Sequence, residues 1–238
     1  MVKENLVSCL KRIEASTALS GVETSSSVTL VAVTKSVPLS LIYEAIDCGV
    51  RHIAENRVQE ALLKYDPVQA YVRNKGVFLK WHMVGHLQTN KVKDAVCIFD
   101  LIHSVDSLKV ALEIDREAGK INKIQDVLIE VKTSGEATKY GFATAEVCEA
   151  VKEISVLKNI NVKGLMTIAP VVDSHEKARP YFRKLQELQD EIATMLSALD
   201  KRPDVLSMGM TDDFEAAIQE GANMVRIGRG IFGERPKI

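Results

Sequence analysis

Eight short apolar runs, separated by stretches of helical periodicity, constrain this chain more than any other property of its sequence. The runs lie at 28–33, 51–54, 81–84, 101–104, 127–131, 162–167, 205–207 and 224–227. They are too short for buried helices and rich in Val, Ile and Leu, so they read as strands. Between them, 39–48, 58–72, 107–118, 144–157, 178–199 and 212–220 carry apolar residues near a 3.6-residue period, as in Phe182, Leu185, Leu188 and Ile192. Gly49 and Gly221 follow two of these stretches, where a left-handed C-terminal residue is favoured, and Thr211 is expected to cap the helix at 212–220. Strands alternating with helices predict a parallel sheet, and eight such units in 238 residues fit a single (β/α)8 barrel. A doubly wound open sheet is the competing architecture. An extra N-terminal helix precedes the first strand, with Leu6, Leu10 and Ile13 on one helical face, and the polar segment 21–27 separates the two. No composition shift divides the rest, so 1–238 reads as one domain.

Composition narrows the function. Apolar residues make up 46% and charged residues 26%, an ordinary globular balance. The 31 basic and 32 acidic side chains are interspersed, which argues against a nucleic-acid footprint or an electrostatic membrane anchor. Four scattered cysteines, without a CxxC pair, fit neither a disulfide framework nor a zinc knuckle. With no leader-like apolar segment at the start, the expectation is a cytoplasmic protein acting on small molecules.

The chemistry concentrates at strand ends, where barrel enzymes build their sites. Lys35 ends the first run, and Pro38 stops that run from continuing. A lysine there can simply extend its ammonium into water. Taken out of water, it tends to lose its proton and becomes an amine able to form a Schiff base with an aldehyde such as pyridoxal 5'-phosphate (PLP). The seventh run leads through Ser207-Met-Gly209-Met-Thr211 into a helix, which gathers hydroxyls and backbone N–H groups into a ready anion site. The eighth ends Val225-Arg-Ile-Gly-Arg-Gly-Ile-Phe-Gly233. Its Gly228-x-Gly230-x-x-Gly233 spelling matches a dinucleotide fingerprint, but that fold needs a further βαβ unit and an acidic residue downstream, and none is expected before Ile238. As a phosphate cradle, Gly228 and the N–H groups after it remain plausible, with Arg229 adding positive charge. Arg226 and Gly228 share a face of that run. An arginine meeting a pyridine nitrogen donates without surrendering its proton, so it leaves the ring a weak electron sink. Asn56 and His82 are polar groups near the second and third strand ends that could reach a cofactor ring. His82 and His86 lack the spacing of a zinc helix.

Six motifs in order carry a resemblance that spans nearly the whole chain. They are Val-Ala-Val-Thr-Lys35, Glu55-Asn-Arg-Val-Gln-Glu60, Trp81-His-Met-Val-Gly-His-Leu-Gln-Thr-Asn-Lys91, Gly164-Leu-Met-Thr-Ile-Ala-Pro170, Leu206-Ser-Met-Gly-Met-Thr-Asp-Asp-Phe214 and the Val225–Gly233 segment. The chain resembles the pyridoxal phosphate homeostasis proteins, PLP-binding barrels of the alanine-racemase N-terminal-domain type. The resemblance implies PLP held as a Schiff base on Lys35, its phosphate on Ser207, Gly228 and the backbone of Arg229, and Arg226 facing the pyridine nitrogen. It also implies a part in vitamin B6 and amino-acid homeostasis, with apo PLP-dependent enzymes as recipients. Three positions depart from the pattern: Thr211 stands where serine is expected, Ala54 where glycine is common, and Arg229 where threonine is frequent. Related racemases carry a second domain and a second proton-transferring base; neither is expected here, so the implied role is a monomeric, non-catalytic carrier. The alternatives are a PLP-dependent amino-acid racemase drawing its second base from His82, Tyr140 or His175, and an aldolase-type barrel using Lys35 on a sugar phosphate.

Overall fold

The computed structural model describes residues 1–20, 28–134, 140–197 and 203–234. The linker at 21–27 and the end of the helix expected at 178–199 lie outside the described residues. All eight apolar runs form strands: β1 (Thr29–Val33), β2 (His52–Glu55), β3 (Lys80–Met83), β4 (Leu101–Val105), β5 (Gln125–Lys132), β7 (Ile160–Met166), β8 (Val205–Ser207) and β9 (Met224–Ile227). A two-residue strand, β6 (Phe142–Ala143), extends β5 through Val131↔Phe142 and stands outside the ring. Every pairing is parallel. The ring closes at β1–β9, with Val31 beside Arg226, and at β4–β5, with Ile102 beside Val127. That second pairing removes both sheet edges and rules out the open doubly wound sheet.

Alternation along the strands separates two apolar clusters. Val31, Val33, Ala54, Val84, Leu101, Leu128, Met166 and Met224 pack together inside the barrel. Their strand neighbours, among them Ala32, Ile53, Trp81, Ile102, Val127 and Val225, face outward into the larger core under the helices. The helices are α1 (Val2–Leu19), α2 (Leu39–Asp47), α3 (Val58–Lys75), α4 (Val92–Ile98), α5 (Leu108–Lys120), α6 (Val147–Ser155), α7 (Arg179–Ser197), α8 (Phe214–Gln219) and α9 (Arg229–Phe232). Gly49 and Gly221 adopt φ of 99° and 100°, the left-handed conformation expected after α2 and α8.

Three local expectations need correction. Helix α1 buries Val2, Leu6, Cys9, Ile13 and Ser16, while Leu10 is 46% exposed. The inward face is therefore set by Cys9, whose thiol is small enough to lie against the Gly230 carbonyl. Helix α8 starts at Phe214, not at 212, because Met210 donates its N–H to the Asp213 carboxylate and forms a separate turn. Thr211 consequently caps nothing; its hydroxyl accepts the Gly230 N–H at 3.3 Å and ties the loop after β8 to the one after β9. Helices α4 and α9, too short to show a period, had no clear sequence signal.

Candidate functional site

Lys35 follows β1 at the C-terminal mouth of the barrel and is half-buried. The residues on either side of it are fastened to β2 and α3. Thr34 donates its hydroxyl to Glu55 Oε1 at 2.7 Å, and its carbonyl accepts from Lys64 Nζ at 2.7 Å. The Ser36 N–H donates to Glu60 Oε1 at 2.5 Å, with Ser36 held at φ 58°. Lys64 bridges both carboxylates, at 2.8 Å from Glu55 and 2.7 Å from Glu60. Burial pushes the Glu55 carboxyl up, opposed by Lys64. At Glu60 burial acts in the same direction, but Lys64 and the Ser36 N–H prevail and hold it below its ordinary value. The sequence motif around Glu55 and Glu60 thus builds a clamp on the lysine turn; Lys64, two helical turns along α3, completes it and was not singled out by sequence.

Next to the clamp, on the strand β9 that pairs with β1, Arg226 is 4% exposed. Its Nη1 donates to the Ser207 carbonyl at 2.7 Å and hydroxyl at 2.6 Å, and its Nη2 donates to the Thr167 carbonyl at 2.8 Å. Five N–H groups are available to a guanidinium, so two have no recorded acceptor among the described residues. Burial pushes the Arg226 pKa down to about 10, which leaves it charged at neutral pH. At the end of β2, Asn56 Oδ1 is also buried without a partner. The Asn56 backbone is pressed by the turn after β3: a Cβ on Gly85 would lie 2.3 Å from the Asn56 carbonyl oxygen, so only glycine fits there.

Other residues singled out from sequence take different places. Ser207 is fully buried, and its hydroxyl is shared between Arg226 and His103 rather than turned toward the mouth. His82 lies inside the barrel with both ring nitrogens bonded to histidines, His52 and His103, each at 2.9 Å. It has no ring nitrogen left for a cofactor, which corrects the expected contact. Gly209, at φ 89°, makes room for Phe214 and Ala217 of α8, since its Cβ would fall 2.8 and 2.6 Å from them. The Arg229 guanidinium pairs with Asp212 and Glu234, leaving its backbone, with Gly228, beside β1. A cavity of about 250 Å³ lies there, between Val33, Ser36 and Val37 on one side and Gly228, Arg229 and Phe232 on the other.

Glu130, near the end of β5, was missed altogether. It is 8% exposed, and burial followed by the nearby Asp106 charge pushes its pKa up to about 7. An acidic residue within a strand gives no sequence signal of this kind, because the shift depends on what surrounds it. Beyond it, His86 pairs with Asp106 at 2.8 Å and stacks on Tyr140 with centroids 3.7 Å apart. These residues, with Lys109 and Lys132, line a wider cavity of about 450 Å³. Among the described residues no helix is long and apolar enough to cross a membrane, and no cluster of three or more His, Cys, Asp or Glu could hold a metal ion.

Residues 15–236 match the family model of the alanine racemase N-terminal domain. The chain is 46% identical over 206 residues to the pyridoxal phosphate homeostasis protein of Aquifex aeolicus, covering 87% of this chain and 86% of that one. The structure of PipY from Synechococcus elongatus, with PLP bound, superposes with a TM-score of 0.81 at 34% identity over 98% of this chain and all of PipY. An alanine racemase from Clostridium difficile shares only the fold, at 20% identity and a TM-score of 0.69 over 58% of its length.

Proposed function

The chain belongs to the pyridoxal phosphate homeostasis proteins within the alanine racemase N-terminal domain family, and on that premise we propose that it holds PLP on Lys35 as a carrier and not as a catalyst. The protein binds PLP and acts in PLP homeostasis. The observation that carries the site is the pairing of a clamped Lys35 with Arg226 on the neighbouring strand, which keeps two N–H donors without an acceptor among the described residues, and with the orphaned Asn56 oxygen. When bound, PLP supplies an aldehyde for an amine and an electron-withdrawing pyridine ring. Lys35 provides the amine and the covalent attachment. Thr211, whose hydroxyl lies against Gly230 at the junction of the two loops, adds a hydroxyl to the phosphate site formed with the backbone of Gly228 and Arg229, while the Ser207 hydroxyl is engaged by Arg226 and His103. Arg226 donates to the pyridine nitrogen without protonating it, and Asn56 supports the ring edge.

This arrangement favours storage over catalysis. An unprotonated ring withdraws electrons poorly, so carbanions beside it are weakly stabilised. Of the second bases considered for a racemase, His82 is bonded at both ring nitrogens, and His175 Nδ1 contacts the Asp212 carbonyl. The racemase reading retains one observation in its favour, a Glu130 able to gain and lose a proton near pH 7. A carrier that keeps PLP covalently yet reversibly can pass it to apo PLP-dependent enzymes, which we take as its partner class.

Incubation with PLP, borohydride reduction and peptide mapping test the attachment. A pyridoxyl group on Lys35, lost in Lys35→Ala, is expected. A label on another lysine, or a colourless protein that takes up no PLP, would overturn the site and favour the sugar-phosphate reading. Exchange of the α-hydrogen of amino acids for deuterium should be negligible; turnover near 1 per second or faster, abolished by Glu130→Gln, would instead make the protein a racemase.

A further inference from the structure

Three histidines join head to tail through the barrel interior. His52 Nδ1 meets His82 Nε2, His82 Nδ1 meets His103 Nε2, and His103 Nδ1 meets Ser207 Oγ, each at 2.9 Å. Ser207 Oγ in turn accepts from Arg226 Nη1 at 2.6 Å. His82 and His103 are 1% and 0% exposed, whereas His52 is half-buried at the start of β2, on the N-terminal side of the barrel. The row therefore runs from one end of the barrel to the arginine that the proposed site uses.

A neutral imidazole carries one N–H, so a ring that donates through one nitrogen must accept through the other. Fixing the direction of any link consequently fixes them all, and only two arrangements exist. In one, His52 donates to His82, His82 to His103 and His103 to Ser207; Ser207 Oγ then accepts twice, and its own buried O–H has no recorded acceptor among the described residues. In the other, Ser207 donates to His103, His103 to His82 and His82 to His52. Every interior proton then has an acceptor, and the remaining Nε2–H, on His52, faces the wetter end. A buried hydroxyl left without an acceptor keeps its desolvation penalty uncompensated, which selects the second arrangement.

We infer that Ser207, His103, His82 and His52 form a one-way hydrogen-bond chain, all three rings protonated at Nε2, that positions the Arg226 guanidinium and carries the charge state of His52 to it. The histidines are positioning residues; what Arg226 faces rests on the PLP reading, but the chain itself does not. Doubly protonated His52 presents Nδ1–H to the Nε2–H of His82, donor against donor. The link then either breaks or the whole row reverses, and reversal places a second donor on the oxygen that holds Arg226. Burial first, and then Lys80 of β3, disfavours charge on His52, while Asp100 ahead of β4 favours it; His82, Arg226 and His52 are the charged or titratable neighbours of His103. Burial, first of all, keeps the two inner rings neutral.

Long-range proton–nitrogen NMR on 15N-labelled protein, without PLP, tests this from about pH 8 to about pH 5. At the upper limit all three rings should show the Nε2–H tautomer. On acidification His82 and His103 should stay neutral, while the Arg226 side-chain nitrogens shift with the midpoint of His52; in His52→Phe that shift should vanish while the amide spectrum elsewhere is retained. An Nδ1–H tautomer at His103, or Arg226 resonances that ignore His52, would overturn the inference. Because no PLP is present, that failure is separate from a failure of Lys35 to take the cofactor, which the borohydride mapping reads.

Discussion

The Lys64 ammonium stands between Glu55 and Glu60, and both carboxylates also hold residues adjoining Lys35. Removing it would strand Glu55, whose side chain is completely buried, as an uncompensated charge or force it to take a proton. Lys64→Met is accordingly expected to cost about 3 kcal/mol in urea unfolding. Adding Glu55→Gln should recover part of that loss. Covalent PLP uptake should also slow in the single variant, since the turn that presents Lys35 loses the Lys64 bond to the Thr34 carbonyl and the cation that holds both carboxylates in place. Unchanged stability and unchanged uptake would mean that the clamp does not set the position of Lys35. At this scale the sequence singled out Lys35, Arg226 and the glycine loops as candidates, because each residue type has few reasons to be at a strand end. It did not announce which partner each would find: Ser207 and His82 could be read as ligands only because nothing in the sequence shows that they point inward to each other's neighbours.

Helix α1 closes over the short helix after the last barrel strand. Asn5 donates to the Ile231 carbonyl at 3.0 Å, and Arg12 forms a two-point ion pair with Glu215 while its guanidinium lies 4.5 Å from the Phe214 ring centre. The ion pair is partly solvated, so Arg12→Ala should cost only about 1 kcal/mol, much of it from the contact with the ring. Its clearer effect should be local: faster hydrogen exchange at the α8 amides of Ala217 and Ile218 than in the parent protein, with the β1 amides unchanged. Equal exchange at α8 would show that α1 does not hold that helix. Element types were legible because period 2 and period 3.6 differ over runs of five or more residues. The four residues of α9 and the seven of α4 give too few repeats for either period to show, and the face of α1 turned on the size of Cys9 rather than on hydropathy.

For the molecule as a whole, two opposed titrations set stability against pH. The folded state raises the Glu130 pKa from 4.5 to about 7, so it binds more protons than the unfolded chain between those values, and this contribution is lost as pH rises through about 7. The inner histidines have pKa values below 6.5, so the stability they contribute is present above that value and lost as pH falls. Glu130→Gln isolates the first effect. Its stability relative to the parent should rise by up to about 3 kcal/mol between about pH 5 and about pH 8, because each tenfold change in proton affinity is worth about 1.4 kcal/mol. A difference independent of pH would show that Glu130 titrates normally. The closed ring was predictable from eight alternating units, yet its polar interior was not: Ser207, His103 and Arg226 lie on β8, β4 and β9, far apart in the chain, and meet only when the strands close.

The pairing of β1 with β9 also imposes an order in time. Arg226 follows Lys35 by 191 positions, and Val31 finds its partner Arg226 only when both are present. At about 5–20 residues per second, a ribosome needs roughly 10 to 40 s to span that interval. Throughout it Lys35 is present without the arginine, the loop or the helix that the proposed site needs. If PLP is held there as proposed, loading waits until synthesis has passed the last barrel strand, and the cofactor meets a finished fold.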